Sequence, residues 1–328
     1  MGKIKRISGF TTFLAENSAF VAVLIIFVFC SIFLPNFLSP VNISSILNQY
    51  SIIGLLALGQ LLVVISGGVD LSQGGMVALY SIIAASLMQT MNPVLSLLIA
   101  TVSIVLLGAL NGVLIAKLKM PPFIVTFGVL QICRGIALQI ADTKPVAIKI
   151  EAFTNLGFLE IAKIPFSTIL WLITAFIVFY FLRNRKFGRY IFAVGSKEED
   201  ARLSGIKTNL IKFSVYVLAA LFVSIGALVW TARVKSGQPI GASGYELETI
   251  AAVVVGGGSL AGGKGTVSGT IFGVLLFGLI SSMLNLLGVP PLWQGMAKGM
   301  ILLLAVSIGQ IRKPSEKLKI MKGGVDNE

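Results

Sequence analysis

Apolar runs long enough to cross a membrane alternate with short polar connectors along almost the whole chain. A helix needs about 20 apolar residues to cross roughly 30 Å of hydrocarbon. Windows of that size predict ten spans, at 19–37, 44–65, 72–90, 94–116, 122–141, 164–182, 213–232, 249–262, 266–287 and 292–311. One polar stretch is long: 183–212, reading RNRKFGRYIFAVGSKEEDARLSGIKTNLIK, follows the sixth span. The expected fold class is all-α, a polytopic membrane protein of about ten transmembrane helices. It forms a single domain over 1–328, with 183–212 as a cytoplasmic loop within it. The apolar run after the basic start MGKIKR lacks a small-residue cleavage site, so it is read as a retained first span.

Charge orients these spans. Eight of the 26 Lys and Arg residues lie in 183–212, which the positive-inside rule places in the cytoplasm. With both termini also inside, the Lys and Arg outside the spans divide 19 to 5 in favour of cytoplasmic segments. Composition agrees: the chain is 56% hydrophobic and 12% charged, with a mean hydropathy of +0.94. The net charge of +13 is thus assigned to loops beside anionic lipid, not to nucleic-acid binding. Histidine is absent, which removes the commonest metal ligand and general base. Cys30 and Cys133 fall in apolar spans and offer no disulfide framework.

Within the loop, Ser196 and Glu199 have the spacing of a capping box, which predicts a helix over 197–203 stopped by Gly205. Glu198, Glu199, Asp200 and Arg202 make it too polar to be held by a wide apolar stripe, so a docking role is expected. The preceding segment 187–194 is too apolar for an idle linker, and Tyr190 and Phe192 are its expected anchors.

Two spans are broken by glycine. Gly67 and Gly68, with Asp70, follow the second; Gly257, Gly258, Gly262 and Gly263 interrupt the eighth. Broken helices at membrane depth are tolerated only when buried in protein or lining a cavity. Matching breaks in two halves predict a weak internal repeat, and Pro-Pro pairs at 121–122 and 290–291 follow each break. Asp70 is expected to cap the helix beginning near Ser72. Gly265, Gly269 and Gly273, like Gly108 and Gly112, recur at the four-residue spacing that lets helices approach closely; packing within the chain is the preferred reading.

Chemistry is sparse. The segment GSLAGGKGT (258–266) approaches a phosphate-binding loop, but Gly265 stands where a hydroxyl should hold Mg²⁺, and no strand precedes it. Arg134 and Lys298 are charges within spans, functional by default. Gln131 and Gln294, each about one turn earlier, widen the two polar stripes. These four residues are the expected translocation path. No nucleophile with its base, metal cluster or carboxylate dyad is evident, so no enzyme activity, metal or cofactor is expected.

Four stretches together resemble the permease subunits of ribose-type monosaccharide ABC importers: SGGVDLSQGGMVAL (66–79), MPPFIVTFGVLQICRGIAL (120–138), GRYIFAVGSKEEDARLSGI (188–206) and ELETIAAVVVGGGSLAGGKGTVSGTIFG (246–273). The resemblance implies a homodimeric channel-forming subunit in the bacterial cytoplasmic membrane. Such a subunit receives sugar from an extracytoplasmic binding protein and is driven by a separate cytoplasmic ATPase. The family's coupling segment carries over to 188–206, including Gly188, Arg189, Tyr190, Phe192, Gly195, Ser196, Glu198, Glu199, Ala201, Leu203 and Gly205. Other permeases of the superfamily carry nucleosides or branched-chain amino acids. The competing class is an ion-coupled carrier, against which stands the placement of nearly all acids in loops.

Overall fold

The computed structural model describes residues 18–290, 293–297 and 299–300. The chain is helical, with α1 (Ser18–Phe33), α2 (Pro40–Ile65), α3 (Gln73–Leu87), α4 (Pro93–Ala116) and α5 (Pro122–Ile140) in its first part. After a connector containing the short α6 (Glu151–Thr154) come α7 (Phe166–Asn184), α8 (Lys186–Ser196), α9 (Glu198–Leu203), α10 (Thr208–Val234), α11 (Tyr245–Val255) and α12 (Val267–Leu286). Among the described residues, α2, α4, α5, α7, α10 and α12 are long and apolar enough to cross a membrane, whereas α1 and α3 are apolar but shorter.

Pro40, Pro93 and Pro122 each open a helix in its first turn, where a missing N–H leaves no bond unmade. The Pro121-Pro122 pair is therefore a helix start. Ser39 and Asn92 cap two of these helices, accepting from the amides of Asn42 and Val94.

Helix α2 is the axis of the bundle. Every residue from Tyr50 to Ile65 is buried, under α10, α12, α7 and α11. Helices α4 and α7 are no less apolar, yet each buries one face and leaves large hydrophobics such as Leu98, Leu106, Ile173 and Phe176 on the other. That is the division expected between a central helix and helices facing lipid. Small residues set the close contacts. A side chain at Gly108 or Gly112 of α4 would run into Ala220 or Phe213 of α10. One at Gly269 or Gly273 of α12 would run into the backbone of Gly256 or Ala252. The expected small-residue spacing thus meets neighbours inside the chain, and Gly265 likewise faces Leu61 and Ile65 of α2.

At one end of the bundle two short strands, β1 (Val146–Ala147) and β4 (Ser236–Gly237), pair antiparallel and tie the connector after α5 to the one after α10. A second pair, β2 (Glu160–Ile161) and β3 (Ile164–Pro165), leads into α7. The loop over 183–212 occupies the opposite end of α7 and α10.

The eighth expected span is shorter than foreseen. Helix α11 ends at Val255 and the chain is irregular to Thr266, because consecutive glycines carry the left-handed turn that closes it. Most of the tenth expected span, 292–311, lies outside the described residues.

Candidate functional site

Both glycine breaks begin with the same backbone turn. At the end of α2, Gly67 and Gly68 donate to the carbonyls of Val64 and Val63 (both 3.0 Å). At the end of α11, Gly257 and Gly258 donate to Val254 (3.0 Å) and Val253 (2.8 Å). The central glycines have φ of +84° and +90°, a conformation that side chains resist. The sequences VVISGG and VVVGGG thus close two helices identically.

The first break is buried and filled with polar bonds. Asp70, 1% exposed, accepts from the amide (2.9 Å) and hydroxyl of Ser72. It therefore shapes the turn just ahead of α3, while the α3 cap position, Ser72, makes no side-chain cap bond of its own. Asn111 of α4 donates to Ser72 Oγ (3.0 Å), and Thr126 of α5 accepts from the Leu71 amide (3.1 Å). Gln73 accepts from Thr249 of α11 (2.9 Å). With its amide oriented to suit its neighbours, Gln60 pairs with both backbone groups of Asp70, at 3.0 and 3.3 Å. Four helices thereby supply the partners that an interrupted backbone needs away from water.

The second break touches the first through the loop. The Gly263 amide donates to the carbonyl of Ile65, the last residue of α2 (2.8 Å). Gly195, near the end of α8, lies so close to that carbonyl that any side chain would overlap it. A side chain at Gly262 would overlap the Gly195 carbonyl and come within 2.9 Å of the Gly67 α-carbon. Three backbone segments, from α2, α8 and the turn after α11, therefore meet with no side chain between them. The near match to a phosphate-binding loop belongs to this junction, and the Gly262 and Gly263 amides are already bonded, to Ser259 and Ile65.

The helix expected over 197–203 is present as α9, but the segment before it folds differently from the sequence expectation. A long helix, α8, forms first, and its buried residues Gly188, Ile191, Val194 and Gly195 lie along one face. Ser196 is the last residue of α8 and caps nothing; Glu199 instead pairs with Arg202 (2.6 Å). The expected capping box is thus replaced by a break at Lys197, whose extended backbone separates α8 from α9. Gly205 stops α9 as expected, at φ +82°, with Ile206 donating to Ala201 (3.1 Å).

Expected loop residues separate into two groups. Gly188, Gly195 and Ala201 are buried in the bundle, and Phe192 packs half-buried on the main core. Arg189, Tyr190, Ser196, Glu199 and Leu203 are exposed, Leu203 at 73%. Glu198 fastens α9 to its surroundings through Lys119 (3.0 Å) and Lys212 (2.5 Å). Partial burial pushes its carboxyl up, but the two ammonium groups outweigh this and hold its pKa below the usual carboxylate value. An open cavity of about 660 Å³ lies beside α9, lined by Lys119, Glu198, Arg202, Lys207 and Asn209 among others.

Of the expected path residues, Gln131 is exposed on α5, while Arg134 turns inward and donates to the Gly241 carbonyl (2.6 Å). The nearby charge is Glu246, in the first turn of α11, which the sequence placed in a connector. Gln294 folds back on Asn285 (2.8 Å) and Val289 (2.9 Å). Lys298 lies outside the described residues. Gln60, Asn111, Thr126 and Thr249 belong to no motif in the sequence; their signal is a hydrogen-bonding side chain inside each of four apolar runs.

Residues 42–306 match the family described as branched-chain amino acid transport system / permease component. The chain is 38% identical to the ribose import permease protein of Bacillus subtilis (strain 168), over 88% of this chain and 90% of that protein. It is 36% identical to the L-arabinose transport system permease protein of Escherichia coli (strain K12), over 89% and 90%. It is 35% identical to the galactose/methyl galactoside import permease protein of Haemophilus influenzae, over 86% and 90%. No solved structure matches.

Proposed function

Because the chain belongs to the branched-chain amino acid transport system / permease component family, we propose that it is the membrane-spanning subunit of a binding-protein-dependent ABC importer. Its cargo is a monosaccharide such as ribose, taken across the bacterial cytoplasmic membrane. The observation that carries this reading is that ribose, arabinose and galactose import permeases each align with nearly nine-tenths of the chain.

The work comes from a separate ATPase subunit on the cytoplasmic side, and the exposed face of α8 and α9, with Tyr190 and Leu203, is its docking surface. The backbone contact of Gly195 with the ends of α2 and the turn after α11 supports this role. A push on the loop reaches both helix breaks without passing through a deformable side chain. Two such breaks with the same closing turn support the weak internal repeat, and the Lys and Arg asymmetry supports ten spans with both termini inside.

A second copy of the chain completes the channel. On α5 the exposed face carries Gln131, Gly135 and Gln139, with Gly128 half-buried beside them, and glutamines cannot face hydrocarbon cheaply. That face lines the path or meets the partner copy, with Arg134 at its edge.

The test is uptake of radiolabelled ribose by cells with and without the chain, in competition with arabinose, galactose, nucleosides and branched-chain amino acids. Loss of ribose uptake, blocked by sugars alone, is expected. Competition by leucine or a nucleoside, with none by sugars, would assign the cargo to another branch of the family.

A further inference from the structure

We propose that Arg134 and Glu246 form a hydrogen-bonding station for the hydroxyl groups of a neutral sugar on its way through the protein. The inference rests on the importer reading and adds where, and by which atoms, the permease itself touches its cargo.

Each charged group is half used. Arg134 spends Nη1 on the Gly241 carbonyl (2.6 Å), while its Nη2 is buried and has no partner. Glu246 accepts the Gly244 amide at Oε1 (3.2 Å), while its Oε2 is buried and has no partner. The two groups lie within electrostatic range but make no ion pair. A buried donor and a buried acceptor, each anchored through its other atom to the segment 241–246, are thus left for a third party. Unpaired buried polar atoms are costly unless something meets them.

The place suits a cargo site. Arg134 lies about 18 Å from the start of α5, and Glu246 stands in the first turn of α11, which at about 16 Å is too short to cross roughly 30 Å of hydrocarbon. The start of α3 adjoins Glu246 and the turn of α5 that precedes Arg134. A side chain at Gly74 would overlap Glu246 Oε2, and one at Gly75 would come within 3.1 Å of Cys133 Cβ. In secondary transporters, sites near mid-depth are built where helices are interrupted. One turn before Arg134, Gln131 is exposed, and around Gly244 there is open space, so both flanks are polar or unfilled.

The chemistry selects for hydroxyls. A guanidinium N–H donates and a carboxylate oxygen accepts, and a hydroxyl or vicinal diol does both. The pair carries no net charge, so an anionic cargo meets the repelling carboxylate and a cationic one the repelling guanidinium.

The test uses the complete complex of permease, ATPase and binding protein in liposomes, with loaded binding protein saturating, so that receptor affinity drops out. Maximal uptake is compared for ribose and its monodeoxy analogues, in the natural protein, Glu246→Gln and Arg134→Gln. At least one analogue should move about 10-fold or more slowly through the natural protein, since hydrogen bonds to charged groups discriminate on that scale. In Glu246→Gln ribose should slow by a similar factor and that analogue no further. Equal slowing of ribose and every analogue would overturn the proposal, leaving a pair that only braces 241–246 or bridges through water. If the natural complex moves no sugar, the importer reading fails separately. The station is then judged by equilibrium binding of ribose to the purified permease: saturable binding lost in Glu246→Gln supports it, and binding unchanged by the substitution refutes it.

Discussion

Gly195, one residue from the end of α8, packs against the carbonyl of Ile65, the last residue of α2, with no room for a methyl group between them. The same carbonyl accepts the Gly263 amide (2.8 Å), so one oxygen joins the loop to both helix breaks. Gly195→Ala should force the segments apart, at the cost of about 1–3 kcal/mol typical of overpacking. The expected outcome in reconstituted complexes is ATP hydrolysis that persists while sugar uptake falls at least 10-fold. Uptake and hydrolysis declining together would mean that the contact serves folding alone.

Tyr190 and Leu203 are exposed on the loop, whereas Phe192 packs half-buried on the core. Truncating an anchor at an interface commonly costs about 2 kcal/mol, or roughly thirtyfold in affinity. Tyr190→Ala with Leu203→Ala should weaken co-purification of the ATPase by about that factor without lowering the melting temperature. Phe192→Ala should do the reverse, and a double variant that retains its ATPase at natural affinity would move the docking surface elsewhere.

Glu198 holds α9 through Lys119 and Lys212. Its folded pKa is depressed, so the contribution is present above the unfolded value of about 4.3 and lost as pH falls through the lower folded value. Glu198→Gln should therefore melt below the natural protein from pH 8 to pH 5, with the gap closing only under more acid conditions. The pair is partly exposed, which limits the effect to about 1 kcal/mol and makes it shrink in high salt. A gap that closes already near pH 6 would contradict the depressed pKa.

Asp70 accepts two hydrogen bonds from Ser72, whose hydroxyl also accepts from Asn111. Asp70→Ala orphans buried donors, each worth about 1–3 kcal/mol. The variant should be recovered from membranes in much smaller amount, and Asp70→Asn should restore most of the yield. Normal yield of Asp70→Ala would show that water replaces the carboxylate there.

Much of this was readable in the sequence, for identifiable reasons. The positions of six spans followed from apolar runs, and the stop at Gly205 from a residue that alone takes positive φ easily. The difference between α2 and α4 was not readable, because a helix buried on every side and one facing lipid show the same apolar run. The capping box failed because Ser196 was already the last residue of an amphipathic helix whose buried face, Ile191 and Val194, outweighs a local cap. Glu246 carries no signal in the sequence because its charge sits just before a span, and only the fold brings it within electrostatic range of Arg134. The meeting of Gly67, Gly195 and Gly262 joins residues far apart in the chain, which no local pattern encodes.

Orientation is tested by single cysteines at Ser196 and Asn155, both exposed, in a background lacking Cys30 and Cys133. In intact cells a membrane-impermeant thiol reagent should reach Asn155→Cys alone, and Ser196→Cys only after the membrane is opened. Labelling of both from outside would contradict the ten-span topology.

The importer account is tested most directly by purified permease in liposomes loaded with ATP, with the binding protein and ribose outside and the ATPase subunit present or absent. Sugar accumulating against its gradient only when the ATPase, ATP and binding protein are all present is the predicted result. Accumulation by the permease alone, driven by an imposed proton or sodium gradient, would contradict it.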